Sequence, residues 1–186
     1  MNLKEKKYLL LDLDGVCYGK HNNYSLTDGI SEKVYKRINH DCWEKYRKNI
    51  LSKERLRTER FQLTLEYFGI TNPDLANKIG TDYVNNSPYR TKLIPHSIEL
   101  LNELKDCYQL HIITNGFEEV QHVKVKQSGL SKYFKNIITS EAAGVKKPDP
   151  KIFQFAFKNT GALAKNSIMI GDDINTDIKG AFSVNM

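Results

Sequence analysis

Short apolar runs that end at polar residues recur along the chain. They cover residues 7–11, 110–113, 137–139 and 168–170. Polar residues follow three of these runs, among them Asp12, Thr114 and Asp172. Apolar runs of this length predict buried strands. Between the runs, apolar residues recur at helical spacing over residues 97–106, 118–128 and 152–159.

Strands that alternate with helices predict an α/β fold built on a doubly wound parallel sheet, that is, a Rossmann-like core. In such a sheet the carboxyl ends of the strands share one edge, where ligands bind. The polar residues at those ends are therefore expected to converge. The helix over residues 118–128 is expected to pack through Val120 and Val123.

The region between the first and second predicted strands breaks this alternation. It contains no convincing buried strand, and its apolar residues, Trp43 and Phe61 among them, follow the spacing of amphipathic helices. We therefore predict a discontinuous core, formed by residues 1–17 and 90–186, with a helical cap inserted over residues 18–89.

Composition places the chain among globular proteins. It has 186 residues, of which 40% are hydrophobic and 27% charged. No apolar run is long enough to span a membrane, and no secretory signal is present, so no membrane partner is expected. The three cysteines lie at wide spacings that fit neither a disulfide framework nor a zinc site. These features predict a cytoplasmic location.

Positive charge is concentrated in the predicted cap. The formal net charge is +6, and residues 31–60 contain ten Lys or Arg and five Asp or Glu. A basic segment attracts phosphates, which makes nucleic-acid binding one function to consider. The acidic residues interspersed in the segment make a nucleic-acid partner unlikely.

Asp12 and Asp14 carry the clearest chemical signal. Side chains two residues apart in an extended chain face the same side, so both carboxylates can point at one small volume. They would repel each other there unless a cation lies nearby, and Mg²⁺ favours hard oxygen ligands of this kind. Beside Mg²⁺ and a phosphoryl group, Asp12 could attack phosphorus. The alternative is an ordinary Asp-Gly turn.

Three further segments could complete such a site. The acids of residues 171–177 could supply magnesium ligands, and Thr114 with Asn115 could hold phosphate oxygens at a helix start. Lys147 could neutralise the transferring phosphoryl group. Each segment also has a structural interpretation as a turn, a helix cap or a surface lysine.

In combination, these segments resemble the haloacid dehalogenase-like hydrolase superfamily. The order is Asp-x-Asp-Gly-Val, then Thr, then Lys-Pro, then Gly-Asp-Asp with a later Asp. The resemblance implies that Asp12 is the nucleophile, Asp14 the general acid/base and Lys147 the charge stabiliser. It implies Mg²⁺ bound by Asp12, the Asp14 carbonyl and Asp172.

The same resemblance implies phosphate binding by Thr114 and Asn115. Asp173 and Asp177 would either bind the magnesium through water or hold its ligands in place. An acid at position 14 favours phosphoryl transfer over dehalogenation, since halide leaves without a proton. Residues 112–117 and 140–148 are similar to the pyrimidine 5′-nucleotidase group, which carries a helical cap after its first strand.

The resemblance therefore implies a Mg²⁺-dependent phosphatase that hydrolyses a small phosphorylated metabolite through an aspartyl-phosphate, with a nucleoside 5′-monophosphate as the candidate substrate. Arg60 could hold the substrate, or it could belong to a solvated helix face. A phosphomutase of the same superfamily remains an alternative. Relatives continue with another strand and helix beyond the point where this chain stops, so we expect a truncated sheet edge that could support self-association.

Overall fold

The computed structural model describes residues 5–14, Cys17 and residues 29–186. The chain divides into two compact units: Met1–His21 together with Thr91–Met186, and Asn22–Arg90. The sequence predicted the insertion at residues 18–89. Its first boundary falls next to residues 18–28, which lie outside the described residues.

A parallel sheet forms the centre of the first unit. In the described part of the chain it has four strands: β1 (Tyr8–Leu11), β2 (Gln109–Thr114), β3 (Phe134–Thr139) and β4 (Ser167–Ile170). Their order across the sheet is β3-β2-β1-β4, and every pair is parallel. All four predicted strands are present, and the predicted α/β fold with a parallel sheet is confirmed.

Helices cover the two faces of this sheet. They are α4 (Ser97–Leu104), α5 (Glu118–Gln127), α6 (Ser140–Ala143), α7 (Pro150–Thr160) and α8 (Lys179–Ser183). A π-helical segment, Ile174–Ile178, precedes α8. The beginning of α7 follows from its sequence, because Asp149 caps the Lys151 N–H and Pro150 occupies the first turn.

Side-chain alternation along β1 divides the core into two layers. Leu9 and Leu11 pack in one apolar cluster with Leu101 of α4 and Val125 of α5. Leu10 points to the opposite face, where it packs in a second cluster that includes Phe153 of α7. Because both faces are buried, the strand is apolar throughout, and a polar residue, Asp12, follows at its carboxyl end.

The second unit is helical. It contains α1 (Gly29–Arg47), α2 (Lys53–Tyr67) and α3 (Pro73–Asn86), followed by a short 3₁₀ turn over Ser87–Tyr89. Ser52 and Asn72 accept backbone hydrogen bonds at the starts of α2 and α3, as N-cap residues do. Among the described residues, no helix combines the length and the apolar character that crossing a bilayer requires.

Candidate active site

The end of β1 places Asp12 at the carboxyl edge of the sheet. The Asp12 N–H donates to the Ile170 carbonyl at 2.8 Å, which fixes the position of the residue beside the end of β4. Its side chain is 13% exposed, and its Oδ1 accepts a hydrogen bond from Lys147 Nζ at 2.8 Å. The predicted nucleophile and the predicted charge stabiliser are therefore in direct contact.

Lys147 is buried, with 2% of its side chain exposed. Its ammonium contacts three oxygens: Asp12 Oδ1, Asp177 Oδ1 at 2.7 Å and the Ile113 carbonyl at 2.8 Å. Burial alone would lower the pKa of Lys147, but the two carboxylates outweigh that effect and raise it. The ammonium is therefore held charged, and the interpretation of Lys147 as a surface lysine is wrong.

Three carboxylates converge beside this ammonium. One oxygen from each of Asp12, Asp172 and Asp177 lies within 4.8 Å of the other two. Burial raises the pKa of Asp12 to about 7, with Asp177 and Asp14 adding to the rise and Lys147 opposing it. The cluster thus gathers three carboxylates beside the ammonium of Lys147, and its donors are the hard oxygens that Mg²⁺ prefers.

The backbone between β4 and α8 shapes this cluster. A Cβ added at Gly171 would lie 2.5 Å from both Cβ and Cγ of Asp177, so the absence of a side chain there lets Asp177 approach the strand end. Asp177 Oδ2 accepts the Asp173 N–H at 3.2 Å. Asp173 itself caps the π-helical segment by accepting the N–H groups of Asn175 and Thr176.

Asp14 has different partners from Asp12. Its Oδ1 pairs with Lys124 Nζ, and its Oδ2 accepts from Gln121 Nε2 at 2.8 Å. Burial would raise the pKa of Asp14, but the Lys124 ammonium and the hydrogen bonds from Lys124 and Gln121 hold it below its usual range. The carboxylate is not one of the three converging acids. The predicted magnesium ligand at this position is its backbone carbonyl, and that role stays a prediction.

Thr114 and Asn115, the predicted phosphate binders, end β2 in buried positions. The Thr114 Oγ1 accepts the Gly116 N–H at 3.0 Å, which leaves its hydroxyl hydrogen to donate. The Asn115 amide clamps the backbone of Lys147, accepting from its N–H at 2.8 Å and donating to its carbonyl at 2.9 Å. The side chain of Asn115 thus positions Lys147, and phosphate binding by either residue stays a prediction.

Arg60 lies inside the second unit, with 3% exposed. Its guanidinium lies over the rings of Phe61 and Tyr83, with its central carbon 4.9 Å and 4.5 Å from their centroids, and donates to Asn39 Oδ1 at 2.9 Å. The alternative interpretation of Arg60 as part of a solvated helix face is wrong. Its predicted contact with the substrate stays a prediction.

Sequence reasoning missed Gln121 and Lys124. The helix over residues 118–128 was expected to pack through Val120 and Val123, but the buried positions of α5 are Gln121, Lys124 and Val125. The spacing of Gln121 and Lys124 by three residues places both on one helix face. Within the sequence of the helix, nothing distinguishes these two polar residues from those of an exposed face.

A Rossmann-like core that gathers acids and a buried lysine at the carboxyl edge of its sheet defines an α/β enzyme with its active site at that edge. The chain belongs to the haloacid dehalogenase-like hydrolases, since the model of that family matches residues 6–185. The predicted membership of this family, and with it the prediction of a hydrolytic enzyme, is confirmed.

Individual relatives agree with this assignment. The chain is 28% identical to pyrimidine 5′-nucleotidase YjjG of Escherichia coli over 166 residues, which cover 88% of this chain and 72% of that protein. It is 37% identical over 116 residues to a glyceraldehyde 3-phosphate phosphatase of Pyrococcus abyssi, covering 62% of this chain and 49% of that protein. The chain therefore spans about half to three quarters of these relatives.

A solved structure shares the fold. The HAD-hydrolase YfnB of Bacillus subtilis, crystallised with magnesium, superimposes with a TM-score of 0.87. The match covers 97% of this chain and 86% of that one at 24% identity.

Proposed function

We propose that this hydrolase is a Mg²⁺-dependent phosphatase that cleaves a small phosphomonoester through an aspartyl-phosphate on Asp12. The observation that carries the proposal is the convergence of Asp12, Asp172 and Asp177 within 4.8 Å beside the ammonium of Lys147. The phosphatases and the nucleotidase among the relatives support the same reaction class.

The residues of the cluster fit magnesium. Three carboxylate oxygens are close enough to share one cation, and one of them, on Asp172, belongs to an exposed residue that a hydrated ion can reach. Asp12, Asp172 and Asp177, with the Asp14 carbonyl as predicted from the sequence, would hold Mg²⁺. When bound, the ion would polarise the phosphoryl oxygens and offset the negative charge around Asp12.

The protein groups then divide the reaction into two steps. A carboxylate oxygen of Asp12 attacks phosphorus, the bond from phosphorus to the ester oxygen breaks, and Asp14 gives its proton to that leaving oxygen. Water next attacks the aspartyl-phosphate and gives its proton to Asp14, so that inorganic phosphate leaves and Asp12 is regenerated. The lowered pKa of Asp14 keeps its carboxylate ionised and so able to accept that proton, and it makes the protonated group a stronger acid for the first step.

Lys147 and Thr114 support both steps. The ammonium of Lys147 touches Asp12 and stabilises negative charge that develops as the phosphoryl group is transferred. The Thr114 hydroxyl is available to donate to a phosphoryl oxygen. Asn115 contributes by holding the backbone of Lys147, which keeps the ammonium in place.

A nucleoside 5′-monophosphate is the substrate that we propose, because YjjG is a pyrimidine 5′-nucleotidase and matches most of this chain. The glyceraldehyde 3-phosphate phosphatases among the relatives make a small sugar phosphate the next choice. A cytoplasmic location and self-association through the sheet edge remain predictions.

The two alternative functions gain no specific support. A phosphomutase would share the cluster around Asp12, so the geometry does not favour it. For nucleic-acid binding, the basic segment is less available than its composition indicates. Arg60 is buried in the cap unit, and Arg55 and Arg47 form ion pairs with Glu59 and Glu44.

Release of inorganic phosphate from a panel of nucleoside 5′-monophosphates and sugar phosphates tests the proposal. We expect turnover with Mg²⁺, no turnover with a chelator, and a loss of about 10⁴-fold or more in Asp12→Asn, as for removal of a nucleophile. Asp106→Asn, at an exposed position of the first unit, is the matched control and should keep full activity. Turnover that persists in the chelator or in Asp12→Asn would refute the proposal.

A further inference from the structure

We propose that Gln121 and Lys124 of α5 are positioning residues that hold the Asp14 carboxylate for proton transfer with the water that hydrolyses the aspartyl-phosphate. This inference rests on the proposed function and adds two residues to it. No sequence motif of the site includes either residue.

The contacts are specific to the two oxygens of Asp14. Lys124 Nζ pairs with Oδ1, while Gln121 Nε2 donates to Oδ2 at 2.8 Å. Both α5 residues are buried, whereas 36% of the Asp14 side chain is exposed. The two contacts thus fix the carboxylate from the protein side and leave its outer face open to a reacting molecule.

Burying the polar side chains of Gln121 and Lys124 costs folding free energy, which indicates a role for them at the site. A lysine or glutamine side chain loses considerable rotational freedom when it is buried. The Gln121 Oε1 is buried with no hydrogen-bond partner among the described residues. The amide therefore donates to Asp14 through Nε2 while its oxygen makes no hydrogen bond, which is unfavourable for a buried acceptor. The orientation of Gln121 therefore follows from its contact with Asp14.

Gly116 provides the space for this contact. A Cβ added at Gly116 would lie 1.9 Å from Gln121 Nε2 and 2.7 Å from its Cδ. The glycine of the Thr-Asn-Gly segment therefore lets the amide reach Asp14 across the backbone. This close approach connects the end of β2 with the acid/base group at the end of β1.

Positioning matters most in the second step of the proposed reaction. There the attacking water forms a bond to phosphorus, the bond from phosphorus to Asp12 breaks, and the proton of the water passes to Asp14. A carboxylate that rotates freely loses the geometry for this transfer. The first step with p-nitrophenyl phosphate needs little help from Asp14, because nitrophenolate is a stable leaving group.

Stopped-flow kinetics with p-nitrophenyl phosphate and Mg²⁺ separate the two steps. In Lys124→Met we expect a burst of about one nitrophenolate per chain, followed by a kcat that is lower by about tenfold or more. The value of kcat/KM should stay within about twofold, since it reports the first step. Lys126→Met, an exposed lysine on the same helix, is the matched control and should match the unsubstituted chain.

A double-mutant cycle shows whether Lys124 acts through Asp14. In an Asp14→Asn background, Lys124→Met should lower kcat no further, because the carboxylate that it holds is gone. Lys124→Arg should keep most of the activity. If Lys124→Met does not fold, Gln121→Leu tests the same prediction with the same burst.

Two results would overturn the positioning role alone. One is an equal fall of kcat and kcat/KM in Lys124→Met without a burst, and the other is full additivity with Asp14→Asn. If the unsubstituted chain releases no phosphate from any ester, or if Asp12→Asn remains active, the proposed function fails and this inference fails with it.

Discussion

Asp12 and Asp14 lie two residues apart on the same strand end, yet their surroundings shift their pKa values in opposite directions. Burial raises the pKa of Asp12 to about 7, and the negative charges of Asp177 and Asp14 add to the rise. The ammonium of Lys147 opposes the rise, but Asp12 shares that ammonium with Asp177. Burial acts on Asp14 as well, but the Lys124 ammonium and the Gln121 amide lower its pKa.

The positive groups beside each carboxylate, rather than the Asp-x-Asp pattern, therefore decide the direction in which its pKa shifts. The region around Asp14 is neutralised by the protein itself. Around Asp12, one oxygen from each of three carboxylates lies within 4.8 Å of the other two, beside the ammonium of Lys147. This convergence of hard oxygen donors is the physical reason to place a divalent cation beside Asp12 and not beside the Asp14 carboxylate.

Removal of the two lysines should have unequal effects on stability. Lys147→Met leaves Asp12 and Asp177 buried without their cation, so we expect the free energy of unfolding to fall by about 3–5 kcal/mol. Lys124→Met should cost only about 1 kcal/mol, because the Asp14 side chain is 36% exposed and can be hydrated. Urea unfolding at pH 8 in a chelator measures both.

Lys151→Met is the control for this pair, because Lys151 is exposed on α7 and should change stability by no more than about 0.5 kcal/mol. Equal losses for Lys147→Met and Lys124→Met would break the contrast between the two regions.

Substitution of the glycine near Asp12, Gly171, should destabilise the fold more than substitution of the glycine near Asp14, Gly116. At Gly171, a new Cβ meets the Cβ of Asp177, an atom that cannot move without the backbone, and we expect Gly171→Ala to cost about 1–3 kcal/mol. At Gly116, the new Cβ meets the end of the Gln121 side chain, which can turn aside if it gives up its hydrogen bond to Asp14, so Gly116→Ala should cost about 1 kcal/mol. Thermal unfolding compares them, and a larger cost at Gly116 would contradict the geometry.

The pH dependence of stability should show the effect of the one proton that Asp12 holds in the folded state. A raised pKa means that folded Asp12 keeps a proton that the unfolded chain releases. Its stabilisation is therefore complete below its unfolded pKa and is lost as the pH rises to about 7. Asp14, with a lowered pKa, stabilises the fold above its unfolded pKa and loses this effect only as the pH falls through its folded pKa.

In the unsubstituted chain, the free energy of unfolding should fall between about pH 4.5 and 7.5, roughly the interval between the unfolded and folded pKa values of Asp12, by at most about 1.4 kcal/mol per pH unit. Asp12→Asn should remove this fall. Asp14→Asn should leave most of that slope. Urea unfolding in a chelator at several pH values measures it. An unchanged slope in Asp12→Asn would mean that the carboxylate is ionised throughout.

Much of the core could be predicted from the sequence, because a strand that is buried on both faces must be apolar and must end where polar residues begin. This rule located β1, β2 and β4, together with Asp12, Thr114 and Asp172 at their ends. The contact of Lys147 with Asp12 depends on a loop far along the chain. From the residues alone Lys147 was one candidate for charge neutralisation, and the resemblance to a family gave it that role beside Asp12.

The rest could not be predicted because buried polar residues do not follow apolar periodicity. Gln121 and Lys124 occupy the buried side of α5 because Asp14 lies there, and no pattern within the helix reveals that neighbour. The acidic residues near Arg60 in the sequence are typical of an exposed helix face. In the structure, aromatic rings and Asn39 stabilise its buried charge.

The central claim is that the three carboxylates around Asp12 form a magnesium site, and calorimetric titration of the chain with Mg²⁺ tests it most directly. Asp172 is the exposed member of the cluster, so Asp172→Asn removes a ligand without disturbing the core. We predict about one Mg²⁺ per chain, with affinity lower by about tenfold or more in Asp172→Asn and unchanged in Asp106→Asn. Absence of binding at millimolar Mg²⁺, or equal affinity in Asp172→Asn, would contradict the account.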